Sequence, residues 1–240
     1  MNSIVYGPVS SWRLGRSLGI NLFSTKDKTC SFDCTYCEWG ATVHLLVERG
    51  EFVTLAELKK ELETAKGVAA DCVTFAGGGE TTLASNLGEA IEIVQSILKL
   101  PVAVLTNSSL MSREDVRQEL ARADLVIAKV DAPNEEIFHK INKPVAGCTL
   151  AEILHGIKKF RSEYNGKLAL QMMFVESNKG YARGMARIAK ELSLDEVQIN
   201  TPLRPCGVEP LTYQEIAAIR DKFSGLRRVV TVYEVVRPRP

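Results

Sequence analysis

No stretch of about 18 apolar residues occurs in the 240-residue sequence, and its opening, "MNSIVYGPVSSWRLGRSLGINL", lacks the basic start and unbroken apolar run of a secretory signal. These absences argue against a helical membrane span and predict a soluble, cytoplasmic protein. Neither sign of charge is in excess, with 30 Lys and Arg against 29 Asp and Glu. The bulk field therefore does not advertise nucleic acid, a membrane surface or an acidic substrate, and only a local patch could serve those roles. Internal repeats, low-complexity segments and linkers are also missing. With 45% hydrophobic residues, enough for a sizeable core, the simplest reading is one domain over 1–240, its core at about 14–225 and a C-terminal strand and tail at 226–240. Cysteine is scarce too. Of six, Cys72, Cys148 and Cys206 are scattered singly, so in a reducing compartment they read as thiols or metal ligands and not as a disulfide framework.

What is present is a repeated alternation. Short β-rich runs at Leu18 to Phe23, Cys72 to Ala76, Val102 to Thr106, Asp124 to Val130, Leu168 to Val175 and Glu196 to Asn200 are the right length for buried strands. Between them, Thr54 with Glu57, Asn86 with Glu89, Thr149 with Glu152 and Thr212 with Glu215 carry the cap-x-x-Glu pattern that satisfies the free amides of a helix's first turn. Leu150, Ile153, Leu154, Ile157 and Phe160 recur at helical spacing and predict one buried face. About six β-α units imply parallel strands with right-handed crossovers, hence an α/β fold built as an open sheet or a curved partial barrel. Functional residues then belong where strands end.

The remaining three cysteines are crowded. "KTCSFDCTYCEWG" places Cys30, Cys34 and Cys37 within eight residues, directly after the first predicted strand. Three thiolates on one short loop can face one metal centre. Zinc normally takes four ligands, whereas three suit a [4Fe-4S] cube whose fourth iron stays open. The alternatives are a zinc knuckle completed by His44 or a remote cysteine, and unligated core thiols. A second segment, "VTFAGGGETTL", sets Gly77, Gly78, Gly79 and Glu80 at the end of the second strand, where glycine permits close approach to a ligand and a carboxylate or carbonyl can accept from an ammonium group.

These two segments together resemble the radical S-adenosylmethionine (SAM) enzymes. "CSFDCTYC" matches their C-x3-C-x-aromatic-C loop, with Tyr36 as the aromatic, and "AGGGE" their glycine-glutamate segment, although Thr81 stands where proline is usual. Across nearly the whole chain, "YGPVSSWRLGRSLGINL", "LTNSSLM", "AKVDAPNEEIFHKINKP" and "INTPLRP" are similar to the wyosine-synthase-like group, tRNA-modifying Fe-S oxidoreductase-like proteins. The resemblance implies a (β/α)6 partial TIM barrel and a single [4Fe-4S] cluster held by Cys30, Cys34 and Cys37. It also implies SAM chelated to the open iron and bound by Gly77–Glu80, an electron donor such as flavodoxin or ferredoxin, and a 5'-deoxyadenosyl radical that takes hydrogen from the substrate. The tRNA-modifying members carry extra N-terminal cysteines for a second cluster, and none precedes Cys30 here. The substrate is thus open: a tRNA or modified nucleotide first, and a glycyl-radical protein or a peptide as the alternative. A zinc-binding interaction module is the non-enzymatic reading.

Other strand-end residues are candidates to line the site. Asn107, Asp131, Asn178 and Asn200 are placed to meet cofactor or substrate, and their dull reading is turn formation. Lys129 alternates with apolar neighbours and is expected to point into the barrel, where it could anchor a carboxylate or phosphate. Arg204 is a further lining candidate, and Cys206 a possible hydrogen-atom donor. Trp39 could cover the cluster or stack on adenine. Arg13 and Arg16 bracket a turn before the first strand and could bind a phosphate, with solvated arginines as the default reading. Arg227, Arg228, Arg237 and Arg239 make the C-terminal end locally basic and could face an acidic partner or RNA, but with Val229, Val230 and Val232 they read first as a charged edge strand.

Overall fold

A computed structural model of the chain describes residues 3–23 and 27–234. In chain order it runs β1 (Val5–Ser11), β2 (Gly15–Ile20), β3 (Thr29–Cys30), β4 (His44–Leu45), α1 (Leu55–Ala65), β5 (Cys72–Phe75), α2 (Leu87–Leu98), β6 (Val102–Thr106), α3 (Glu114–Leu120), β7 (Leu125–Lys129) and α4 (Glu135–Asn142). There follow α5 (Leu150–Glu163), β8 (Lys167–Met173), α6 (Ala182–Leu192), β9 (Glu196–Asn200), α7 (Tyr213–Arg220) and β10 (Val229–Thr231). Eight strands form one curled sheet in the order β1-β2-β5-β6-β7-β8-β9-β10, parallel throughout except for β1, which pairs antiparallel with β2. The sheet is the expected partial barrel, with β1 and β10 as its two edges and the gap between them as its open side.

Strand periodicity separates the two faces. Val73 and Phe75 of β5 join the hydrophobic core while Thr74 turns into the central cavity; Leu170 and Met172 of β8 are core while Gln171 and Met173 face the cavity. Helices close the outer face through caps the sequence foretold. Thr54 and Thr212 each form a full capping box with Glu57 and Glu215, and Thr149 accepts from the Glu152 amide. Asn86 differs from expectation: α2 begins beside it, but its side chain donates to the Val53 carbonyl at 2.8 Å and caps nothing.

Strand ends also shift for local reasons. The first parallel strand stops at Ile20 and not at Phe23, because the Asn21 side chain accepts from the Phe23 amide at 3.0 Å and turns the chain. β8 stops at Met173 because Asn178 takes the Val175 amide at 2.7 Å and donates to the Met173 carbonyl at 2.8 Å. β1 was not foreseen. Its Gly-Pro pair argues against a strand, and Pro8 is tolerated because β1 is an edge. At the other edge β10 is the expected charged strand, with Arg228 bonded to Glu196 at 2.7 Å; Arg237 and Arg239 lie outside the described residues.

Candidate functional site

The cavity inside the curl has a volume of about 470 Å³ and is walled by Cys30, Cys34 and Cys37 together with Gly77, Gly79, Glu80 and Asn107. The cysteine loop leaves β2 and is strapped at several points. Lys28 donates to the Gly40 carbonyl at 2.9 Å, joining the loop's two ends, and the Asp33 carboxylate accepts from the Thr42 amide at 2.7 Å. Thr29 donates to the Gly78 carbonyl at 3.1 Å and accepts from the Glu80 amide at 3.2 Å, which ties the loop to the glycine segment. That tie explains the glycine at 79: a Cβ there would sit 1.9 Å from the Thr29 carbonyl oxygen, so no side chain fits. At Gly77 the obstacle is the Asn21 side chain, 2.3 Å from the same built position. Gly78 does not line the cavity, and the Trp39 ring lies over it.

Two buried carboxylates hold the strand ends. Glu80 accepts from the Thr82 amide at 3.0 Å, from the Thr82 and Thr106 hydroxyls at 2.6 Å each, and from the Asn107 amide at 2.6 Å. Burial pushes its carboxyl up, and these bonds pull back toward the charged form. The carboxylate is thus committed to the scaffold. Among the described residues nothing donates to the carbonyls of Gly77 or Gly79, which remain for a ligand.

Asp131 is the second. It accepts from the Tyr36 hydroxyl, from Asn142 Nδ2 at 2.9 Å and from the Met173 amide at 2.7 Å, with Lys129 Nζ 3.6 Å away. Lys129 lies 4.2 Å from the centre of the Tyr36 ring. Burial pulls the Lys129 ammonium down, but Asp131 and then all three loop cysteines outweigh it and hold the pKa above its ordinary value. One cation therefore stands in the field of all three thiols.

The structure brings together Cys30, Cys34, Cys37, Tyr36, Gly77, Gly79, Glu80, Asn107, Lys129 and Asn200 on one cavity wall. It does not bring Asp131 or Asn178 there. Asp131 is 2% exposed beneath Tyr36, and Asn178 is fully buried with its amide spent on the Asp131 and Met173 carbonyls. Cys206 is also turned away: the loop after β9 lends Thr201 to Arg204 to the wall, then aims the thiol at the Val208 carbonyl, 3.3 Å away. Arg16 is the exposed arginine expected, paired with Asp71 at 3.0 Å. Arg13 is not. It enters the cavity wall, and its Nε and Nη1 are buried. Sequence reasoning missed it because the hairpin that carries it was itself missed.

The loop suits a cluster better than a single ion. Among the described residues, no three His, Cys, Asp or Glu side chains converge closely enough to hold one metal ion, and the three loop cysteines are no exception. A four-iron cube puts each thiolate on a different iron and so spreads its ligands. Amide N–H groups already face the sulfurs: Asn142 Nδ2 lies 3.4 Å from Cys34 Sγ and Asn107 Nδ2 3.7 Å from Cys30 Sγ, as the outer partners of ligating sulfur should. Without metal, burial and then the Glu80 charge push the Cys30 thiol up to about 12.

Comparison with known proteins follows the same lines. Residues 28–200 match the radical SAM superfamily. A UPF0026 protein of Methanocaldococcus jannaschii is 40% identical over 210 residues, covering 85% of this chain and 64% of that one. A UPF0026 protein of Synechocystis sp. is 39% identical over 202 residues, covering 84% and 76%. Among solved structures, Streptococcus suis SuiB bound to S-adenosylmethionine superposes with a TM-score of 0.66 at 12% identity, over 89% of this chain and 50% of that one. This chain thus spans under two thirds of the Methanocaldococcus relative and half of SuiB, and the likeness to SuiB is one of fold.

Proposed function

The chain belongs to the radical SAM superfamily and to the UPF0026 proteins, and from that premise we propose that it holds one [4Fe-4S] cluster on Cys30, Cys34 and Cys37 and abstracts hydrogen from a substrate within the central cavity. It is an enzyme whose cofactors are SAM and a [4Fe-4S] cluster. When bound, these supply a one-electron reductive cleavage that ends in removal of a hydrogen atom from the substrate. The observation that carries the proposal is the meeting of the three thiols with Gly77, Gly79 and Asn107 on one wall, at the C-terminal ends of parallel strands.

The chain's own residues then divide the work. Asn107 and Asn142 direct N–H groups at two sulfurs, and Lys129 offsets the negative charge that three thiolates bring. The free carbonyls of Gly77 and Gly79 are assigned to the methionine ammonium, in place of the Glu80 carboxylate, which serves as the anchor of that segment. Trp39, over Gly78 and 44% exposed, is the lid of this end. An external one-electron donor such as flavodoxin or ferredoxin completes the system.

For the substrate, the similarity of the strand-end segments to the wyosine-synthase-like group supports a tRNA or modified nucleotide. A peptide is the second reading, supported by the sheet's having β1 and β10 as unjoined edges; SuiB, of the same fold, has been solved bound to its precursor peptide SuiA. The test is anaerobic reconstitution with iron and sulfide, then reduction with SAM. About four irons per chain with 5'-deoxyadenosine formed supports the proposal; near eight irons overturns the single cluster, and colourless protein overturns the assignment of the loop. Stimulation of deoxyadenosine formation by total tRNA but not by peptides would select the first substrate class.

A further inference from the structure

The cavity does not end at the cysteine loop. β2 runs from Gly15, beside the hairpin turn, to Ile20, beside the loop, and its six residues span roughly 20 Å. Both ends line the same cavity: the cysteines at one, and Ser11, Trp12, Arg13 and Leu14 at the other. Val232, just after β10, also lines the cavity.

Arg13 has an unusual place there. Its Nε and Nη1 are buried and have no hydrogen-bond partner among the described residues, and its guanidinium carbon lies 4.9 Å from the centre of the Trp12 ring. Every other cation on the wall is matched. Lys28 is held by the Gly40 carbonyl at 2.9 Å, Lys129 by Asp131 at 3.6 Å, and Arg204 by Glu38 at 2.7 Å. The acids on the wall, Glu38 and Glu80, are both engaged. Glu196 adds attraction from the foot of β9, but it is itself claimed by Lys167 at 2.9 Å and Arg228 at 2.7 Å. Burial first, and then the charge of Arg204, lower the Arg13 guanidinium to about 10, which leaves it charged at neutral pH. Buried guanidinium N–H groups without a partner are costly, and a guanidinium takes planar or tetrahedral oxyanions through several N–H groups at once.

We propose that Arg13 binds an oxyanionic group of the substrate, a carboxylate or a phosphate, at the hairpin end of the cavity, with Arg204 as a second cation toward the rim. The substrate thereby lies along the lumen, anchored at Arg13 and presenting its reacting carbon toward the cysteine loop. This rests on the reading that the cavity receives the substrate. The competing account is a structural arginine joined by water to Gln198, whose Oε1 is also buried without a partner among the described residues.

The test is calorimetric titration of the cluster-loaded protein, with SAM present and ionic strength held constant, using inorganic phosphate in one arm and acetate in the other. Wild-type protein should bind one of the two at a single saturable site, and the preferred anion tells phosphate from carboxylate. Arg13→Gln should weaken that binding at least about tenfold and Arg13→Lys should restore part of it. The melting temperature of Arg13→Gln should equal or exceed that of the wild type, because buried guanidinium N–H groups without a partner are removed. Equal binding in wild type and Arg13→Gln, saturable binding of neither anion by the wild type, or a marked fall in melting temperature for Arg13→Gln would each overturn the proposal. Iron content and deoxyadenosine formation by the wild type report separately on the radical SAM reading, so the two failures are distinguishable.

Discussion

The two ends of the cavity are built on opposite plans. At the cysteine end, Glu80 takes four hydrogen bonds, from Thr82, Thr106 and Asn107, and Asp131 takes three, from Tyr36, Asn142 and Met173. At the hairpin end, Arg13 is half-buried, and its Nε and Nη1 are buried without a hydrogen-bond partner among the described residues. A saturated polar network has one low-energy arrangement and so fixes positions. An unsatisfied buried group is tolerable only where something else arrives to satisfy it. On the proposed reading the contrast is a division of labour: the first end is wired to hold the cofactors, and the second is left to meet the substrate.

The strongest way to break this comparison is at the metal. Replacing Cys30, Cys34 or Cys37 singly with Ala should reduce iron and visible absorption to near background and abolish deoxyadenosine formation. Retained turnover in any one of the three would remove that residue from the ligand set. Next comes the Asp131 network. Asp131→Ala strands the Tyr36 hydroxyl, an Asn142 N–H and the Met173 amide, and leaves the half-buried Lys129 without its counter-charge. The expected loss is about 3–5 kcal/mol in urea unfolding. A loss below about 1 kcal/mol would mean that the network is not what fixes this end.

How far the sequence revealed this follows from where information is local. The strands at Val102–Thr106 and Glu196–Asn200 are bounded as expected because short Val- and Ile-rich runs between turn residues are local signals, and the Thr54 and Thr212 capping boxes are equally so. The cysteine loop stands out for the same reason, since its three cysteines lie within eight residues. Asp131 and Asn178 sit at strand ends as expected, yet they face inward. Which side of a strand end a polar residue serves depends on partners such as Tyr36, 95 residues away in the chain, which no local pattern encodes. The glycines at 77 and 79 were legible as a close approach, but the approaching groups are the Asn21 side chain and the Thr29 carbonyl of the chain itself. Arg13 was read as solvated because its burial depends on an antiparallel strand that a Gly-Pro pair disguised.

A smaller effect sharpens the contrast within the cysteine end. Glu80→Gln keeps one carbonyl oxygen for the Thr82 and Thr106 hydroxyls but sets an NH2 group against the Asn107 amide, which now finds no acceptor. About 1–3 kcal/mol of stability should go, along with some SAM affinity, while the iron content stays near that of the wild type. Loss of iron as well would show that this carboxylate positions the cysteine loop through Thr29 more than it positions the glycine segment.

The smallest effect tests whether the rigid end is held from outside. Arg49 reaches from the chain after β4 to the Thr82 carbonyl at 2.9 Å and the Ala84 carbonyl at 2.8 Å, bracing the segment next to Glu80, and is itself held by Asp115 at 3.0 Å. Hydrogen bonding by Arg113, with Arg49 adding to it, lowers the Asp115 carboxyl to about 2, below its ordinary value of 3.8. A depressed acid contributes its stability above the unfolded pKa and loses it as pH falls toward the folded one, so the contribution of Asp115 should fade between about pH 4 and pH 2. Glu119, bound to the same guanidinium, is pushed above its ordinary value of 4.5 by burial, so its contribution has the opposite sign and lies at higher pH. The difference in melting temperature between wild type and Asp115→Asn should therefore shrink as pH is lowered from about 4 to 2. Its size should be small, because the Asp115 side chain is 48% exposed and solvent screens the pair. At neutral pH the same substitution should weaken SAM binding slightly and leave phosphate binding at Arg13 unchanged. A change at both sites would mean that the two ends respond as one body, and the division of labour drawn from their wiring would fall.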